Sequence, residues 1–477
     1  MLKRQRGMWI RHLPLALGIG ALIFAACSHH TPVDPTTASD LPKFIATKIT
    51  SNVHNVLSAV VTARVSNATA VAIEYGADSL HYSAMTPLSS TVGDSVRMAV
   101  LGLEANRSYT LRAVALGSSG QKTFSAPFLF HTGELPDDLP RLKILTQQSP
   151  AAGFVMMGFA SQGNLPKFYA LIVDNDGKIV WYRKFPGAIV DFQKQENGAY
   201  TVFSAIADAP QHFYVLDNLG NLTQEIFAGN GWSAGPHELR LFAARYCLFS
   251  VEFRDMNLSA IGGLPNASVR GTNLEYYRLG TQPFRWSPLD HFQVTDAAPD
   301  IPLTDPIVNP WHGNAIEIDT DDNLIASFRN SDEITKINSR TGEMIWRWGG
   351  KQNQFTFVND PLNGFSHQHG VRRLRNGNLI LFDNGNLHSP PMSRAVEYKL
   401  NEQSKTAELV WVYRHEPPLY NLALGFVQRL ANDNTLICYG FIQRVIEVDK
   451  AGNKRWELLV DEPNQYPYRA FRIESLY

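Results

Sequence analysis

The chain has 477 residues, a formal net charge of −1 and 18% charged residues, a near-neutral balance that gives no basis for nucleic acid as a partner. Its 44% hydrophobic and 11% aromatic content is that of a globular protein, not a disordered one, and the length suggests two or three domains. No long apolar stretch follows the N-terminus, so no later membrane span is expected.

Residues 1–12 carry Lys3, Arg4, Arg6 and Arg11, and the run LPLALGIGALIFAAC follows. A basic start, a short apolar core and small residues before a break read as a secretory signal. The break, Ala25-Ala26-Cys27, resembles a bacterial lipobox, in which the cysteine is lipidated. An ordinary cleaved signal with an incidental cysteine is the alternative. With Ser28 rather than Asp after the cysteine, the resemblance to Gram-negative lipoproteins implies a lipid anchor in the cell envelope, at the outer membrane facing the periplasm. Residues 28–41 are polar, contain Pro32 and Pro35, and read as a flexible tether. The other cysteines, Cys247 and Cys438, sit in apolar runs and read as buried free thiols.

Residues 42–135 show short alternating runs such as VLSAVVTARV, AVAIEY and SYTLRAVAL, the period-two pattern of half-buried strands. The stretch from Leu101 to Ala113 resembles the tyrosine-corner strand of fibronectin type III domains, with Tyr109 at the strand start. This predicts a fibronectin type III or Ig-like β-sandwich serving as a spacer or docking module.

From residue 140 the chain repeats itself. A turn followed by a strand bearing Trp occurs at 173–181, 337–346 and 448–456. A hairpin of the type L-x-N-G-N-x-L-I precedes it, as in Arg373–Ile380 and Arg429–Ile437, where Asn-Gly and Asp-type turns supply the positive φ angles of tight hairpins. Unit starts fall near 145, 190, 237, 312, 369 and 425, with an insertion near 255–305. Four-stranded units of roughly 45 to 57 residues mean a propeller, here of six blades over 140–477, so the predicted class is all-β. The Asp-rich turn 319–323 reads as a hairpin, not a calcium loop.

Three consecutive units begin with histidine: His237, His312 and His369. Residues at one phase of a repeat gather around one axis, so these three are candidates for a shared site. Asn314 lies two beyond His312 on the same strand face, and His367 two before His369. Arg329 ends the apolar run Ile325–Phe328, and a guanidinium there needs an anion or a carboxylate. A structural salt bridge is the alternative.

The stretch from Trp311 to Glu416 resembles the bacterial arylsulfate sulfotransferases that work without 3'-phosphoadenylylsulfate. The matching pieces are His312-x-Asn314, Ser327-x-Arg329 and Gln368-His369 ahead of VRRLRNGNLILFDNG. The resemblance implies a small N-terminal β domain followed by a six-bladed propeller. It implies a sulfuryl transfer from a phenolic sulfate ester to a phenol, by a ping-pong route through a sulfohistidine. By that resemblance His369 is the nucleophile, and His312, His237, Arg329 and Asn314 hold sulfuryl oxygens or handle the phenolic proton, with His367 beside them. Where the family carries a hydroxyl residue before the glycine that opens the last blade, this chain reads Ala423-Leu424-Gly425. No phosphate-cradling glycine loop occurs, so no cofactor is expected, and no metal. Small phenolic donors and acceptors are the expected partners. Competing readings are a propeller that binds a ligand or partner without chemistry, and a metalloenzyme with histidine ligands.

Overall fold

The computed structural model describes residues 41–77, 81–161, 167–206 and 211–477. The signal, Cys27 and nearly all of the tether lie outside the described residues. Every sheet is antiparallel apart from two short edge pairings. Among the described residues, helix is confined to four residues at Pro288–His291 and three single 3₁₀ turns.

The first unit has two sheets. One orders Lys43–Ser51, Ala59–Ser66 and Ser95–Val100. The other is built on Ala70–Gly76 and Ser108–Leu116. Alternation decides the faces: in Ala59–Ser66, Val61, Ala63 and Val65 are buried while Thr62 and Arg64 are exposed. Val61 and Val65 of one sheet meet Ile73 and Leu111 of the other in a shared core. At the strand start the Glu104 N–H donates to the Tyr109 hydroxyl at 2.9 Å, the tie expected from the sequence.

This unit is packed onto the rest of the molecule. Leu57 shares a core with Met157, Leu171 and Trp456, and Val60 and Leu101 share another with Met156 and Trp181. Asn52 Nδ2 donates to the Leu219 carbonyl at 2.7 Å, and the Leu101 N–H to the Tyr477 hydroxyl at 3.1 Å. A spacer joined only through its linker would make none of these contacts.

The remaining strands form six sheets of four or five strands among the described residues. Their inner strands are Ala188–Lys194, Ser233–Leu241, Gly313–Ile318, His369–Arg373, Phe426–Arg429 and Gln465–Ile473. Each lies against the next, and the last lies against the first, so they close a ring. Two long-range pairings seal it. Gln465–Ile473 is the inner edge of the sheet that continues through Phe154–Ser161, and Leu142–Gln147 is the outer edge of the sheet begun by Phe426–Arg429. The unit start expected near 145 is therefore an outer strand. A local hairpin signal cannot tell which distant segment supplies the sixth inner strand.

The repeated tryptophans join neighbouring sheets. Trp181 Nε1 donates to Asn218 O, Trp286 to Gly342 O, Trp411 to Lys450 O and Trp456 to Asn175 O, each 2.8–3.1 Å away in a turn of the adjacent sheet. Trp181 and Trp456 are fully buried, so each indole fills the gap between sheets while its one donor finds a carbonyl; Trp346 is as deeply buried but its Nε1 has no partner among the described residues. Cys247 and Cys438 are buried free thiols, and the 319–323 turn is a hairpin closed by Asp319 N–H to Asn323 O at 2.8 Å.

Along the ring axis the inner strands exchange buried charges. Arg469 Nη1 lies 3.1 Å from Glu238 and 3.3 Å from Asp191, and its Nη2 donates to the Asn314 carbonyl at 2.6 Å. Arg372 pairs with Glu238 at 2.8 Å, and Arg240 with Glu317 at 3.2 Å. Arg469→Ala would leave Asp191 buried without its cation while Glu238 keeps Arg372, and breaking a buried pair costs roughly 3–5 kcal/mol. Urea denaturation of the two proteins should show a loss of that size, and a loss below about 1 kcal/mol would contradict the role given to Arg469.

Candidate active site

The three histidines stand where inner strands begin. His369 is the first residue of its strand, His312 immediately precedes Gly313–Ile318, and His237 occupies an irregularity between Ala234 and Leu239. His312 has φ +53°, a left-handed conformation that turns its ring out of the strand's alternation. The rings of His237 and His312 are 4.7 Å apart between centroids. His369 is close enough that its charge and theirs oppose one another.

Each ring is held by Nδ1. His369 Nδ1 lies 2.7 Å from Asn384 Oδ1 and 3.1 Å from the His367 carbonyl. Asn384 Nδ2 donates to the carbonyls of Asn421 and Leu424, which fixes its oxygen toward the imidazole. Two acceptors at Nδ1 require the proton there, so Nε2 of His369 carries a free lone pair. His237 Nδ1 meets the Tyr468 hydroxyl at 2.7 Å, and His312 Nδ1 meets Asn309 Nδ2 at 2.9 Å. No described residue hydrogen-bonds any of the three Nε2 atoms.

The rings are uncharged near neutral pH. Burial, then the Arg329 charge, holds His369 well below the ordinary histidine range, and its bond to Asn384 works weakly the other way. Burial, with His312 and His369 nearby, does the same for His237. Burial and the charges of Arg329 and Arg270 push His312 down to about 3.

Arg329 sits beside them, with the carboxylates of Asp300 and Asp332 acting on it from beyond ion-pair distance. Its Nη1 donates to Asn330 Oδ1 at 2.7 Å and its Nη2 to the Leu422 carbonyl at 3.2 Å, and it forms no ion pair with a described residue. The structural salt bridge considered from sequence is therefore absent among the described residues. A second guanidinium, Arg270, has no side-chain hydrogen bond or ion pair to a described residue, and its Nε is buried. A buried site of neutral imidazoles beside two guanidiniums that make no ion pair with a described residue favours an anion.

The sequence motifs prove to be stitched together. Gln368 Nε2 donates to Ser327 Oγ at 3.0 Å, and Asn314 Nδ2 donates to the Gln368 carbonyl at 2.8 Å. Asn314 is fully buried. It thus holds the residue directly before His369. His367 also has φ +53°, and it is turned away from the open nitrogens: Nδ1 lies 3.0 Å from Asp332 and Nε2 3.2 Å from Asp300. Both of its nitrogens thus face carboxylates. Leu424, at the position where a hydroxyl was expected, has φ +63° and contributes its carbonyl to Asn384 and Asn421. Among the described residues no group of three or more His, Cys, Asp or Glu side chains is arranged to hold a metal ion.

Sequence reasoning missed Asn384, Tyr468, Asn309 and Arg270. Asn384 was findable: aligning Asn323-Leu324-Ile325 with Asn378-Leu379-Ile380 puts it at the repeat position of Arg329. The others lie outside the repeated hairpins.

Residues 147–469 match the arylsulfotransferase (ASST) family. The arylsulfate sulfotransferase AssT of Escherichia coli O6:H1 is 29% identical over 130 residues, a stretch that spans only 22% of this chain and 22% of that protein. Among solved structures, a Bacteroides caccae protein of unknown function aligns with 68% of this chain and all of its own at TM-score 0.44 and 13% identity. A streptogramin B lyase aligns with 69% of this chain and 90% of its own at TM-score 0.38 and 11% identity.

Selective ¹⁵N labelling of histidine should show His369 as the neutral Nδ1–H form at pH 7, with a titration midpoint below 6.5 because burial and Arg329 disfavour the cation. Asn384→Leu should shift that tautomer balance. A midpoint at or above 6.5 in the wild type would contradict the geometry.

Proposed function

This chain belongs to the arylsulfotransferase family, and on that premise we propose that it transfers a sulfuryl group from a phenolic sulfate ester to a phenol through a sulfohistidine at His369. The observation that carries the reading is an imidazole whose Nδ1–H is fixed by Asn384 and whose Nε2 is open, beside a guanidinium that makes no ion pair with a described residue.

In the first half-reaction the Nε2 lone pair of His369 attacks sulfur. The N–S bond forms, the S–O(aryl) bond breaks, and its electron pair leaves on the phenolate, which takes up a proton. The ring becomes cationic, and Asn384 Oδ1 and the His367 carbonyl stabilise that charge at Nδ1–H. In the second half the acceptor hydroxyl attacks sulfur and the N–S pair returns to Nε2. A phenol of pKa about 10 needs a base, and His237, held by Tyr468, is the neutral ring suited to take that proton. His312 receives the Asn309 amide at Nδ1, so its Nε2 bears a proton and can donate to a sulfuryl oxygen. Arg329 is the permanent cation for the oxygens, where charge builds in the transition state. Asn314 and His367 position the strand start rather than touch substrate.

The finer structural reading follows the same lines. The ring of six sheets is read as a six-bladed propeller and the first unit as a fibronectin type III-like sandwich, supported by the inner-strand cycle and by the Tyr109 tie. The lipobox at Cys27 supports a lipoprotein of the cell envelope, its propeller in the periplasm, where an ester donor needs no nucleotide.

Initial rates with 4-nitrophenyl sulfate and phenol should give parallel double-reciprocal lines, and His369→Ala should abolish turnover. Arg329→Gln should lower kcat/KM by roughly 10²–10³, as removal of one preorganised oxyanion donor does. Intersecting lines, or an active His369→Ala, would rule out the covalent route.

A further inference from the structure

The hairpin Arg245–Met256 and Ala267–Arg278 is longer than the strand it pairs with. The inner strand begins at Ser233, opposite Val251, so 252–256 and 267–271 run on past it. His237, His312 and His369 all lie near the starts of their inner strands, so this overhang rises beside the open Nε2 atoms.

One face of the overhang is turned to the site. Phe249, Val251 and Phe253 alternate onto the same face, and they stand opposite Leu274, Thr272 and Arg270. A Cβ placed on Gly313, next to His312, would lie 2.7 Å from the Phe249 ring and 3.0 Å from Thr272 Cγ2. On Gly235, two before His237, it would again lie 2.7 Å from Phe249. The opposite face, at Gly271, is covered by Leu289. Arg270 therefore points with Thr272 toward the histidines, and its charge depresses both His237 and His312. Its directly opposed neighbour, Phe253, is 54% exposed.

An uncompensated guanidinium beside an exposed aromatic ring, next to an open imidazole cluster, is a recognition pair for an aromatic anion. Arg329 already serves as the cation among the three imidazoles. We infer that Phe253 and Arg270 form a subsite for the substrate's ring, with Arg270 reading a second negative group on that ring, so that this chain prefers phenols bearing a carboxylate. The inference rests on the sulfotransferase reading for its chemistry but not for its binding test.

The test compares 4-hydroxyphenylacetate with 4-hydroxyphenylacetamide, acceptors of similar shape that differ in charge. With 4-nitrophenyl sulfate as donor, the wild type should favour the acid by about tenfold or more in kcat/KM, as a charge-assisted contact does. Arg270→Ala should bring that ratio to about one, and Arg270→Lys should restore part of it. Phe253→Ala should weaken both acceptors and leave the ratio in place. Calorimetric binding of the same two compounds without donor should show the same preference. A preference in binding without turnover would sink the sulfotransferase reading and leave the subsite standing. Turnover and binding that are indifferent to charge in the wild type would overturn the subsite. So would a ratio unchanged in Arg270→Ala, since equal loss on both acceptors would make Arg270 a donor to the sulfuryl oxygens instead.

Discussion

Arg469 ties the ring shut. It lies on the last inner strand, and from there it reaches Asp191, Glu238 and the Asn314 carbonyl on three other inner strands. Arg240, Arg372 and Glu317 extend the network, so three carboxylates meet three guanidiniums along the ring axis. Buried pairs of this kind contribute little net stability compared with packed hydrophobes, but they penalise any arrangement that leaves one partner alone. They therefore fix which strands face one another across the axis. The adjacent residue, Tyr468, holds His237. Closing the ring and placing one ring of the candidate site are thus two consequences of one strand.

Above that balanced floor the charge accounting changes. Arg329 and Arg270 make no ion pair with a described residue, and the three histidines are kept neutral by burial and by those same cations. A charged imidazole cannot attack sulfur, so depression of the histidine pKa values and the uncompensated positive field serve the same chemistry. In the proposed reaction that field would draw in the sulfate ester and the neutral Nε2 of His369 would be the nucleophile that meets it. Three residues here, His312, His367 and Leu424, hold positive φ without being glycine.

Much of this was legible in the sequence because repetition makes it so. The Asn-Gly hairpins and recurring tryptophans gave the sheet units, and histidine at one phase of three units located the site. Tyr109 announced its own hydrogen bond. What was not legible depended on long-range closure or on segments outside the repeat. Nothing local in Gln465–Ile473 marks it as the inner strand of the first sheet, and Leu142–Gln147 looks like a beginning although it ends the last. Arg270 belongs to the overhanging hairpin, whose register with Phe253 has no counterpart elsewhere in the chain. The small N-terminal unit read as a spacer because its outward residues, such as Leu57 and Leu101, are indistinguishable in sequence from core residues; in the structure they are core residues, shared with the ring.

The covalent intermediate is the central claim, and it can be observed directly. The wild type and His369→Ala would each be mixed with 4-nitrophenyl sulfate alone, quenched under alkaline conditions, and examined by intact mass and peptide mapping. The expected result is one added sulfuryl group on the wild type, carried by the peptide containing His369, and none on the variant. Release of nitrophenol with no adduct, or an adduct mapped to His237 or His312 instead, would contradict it.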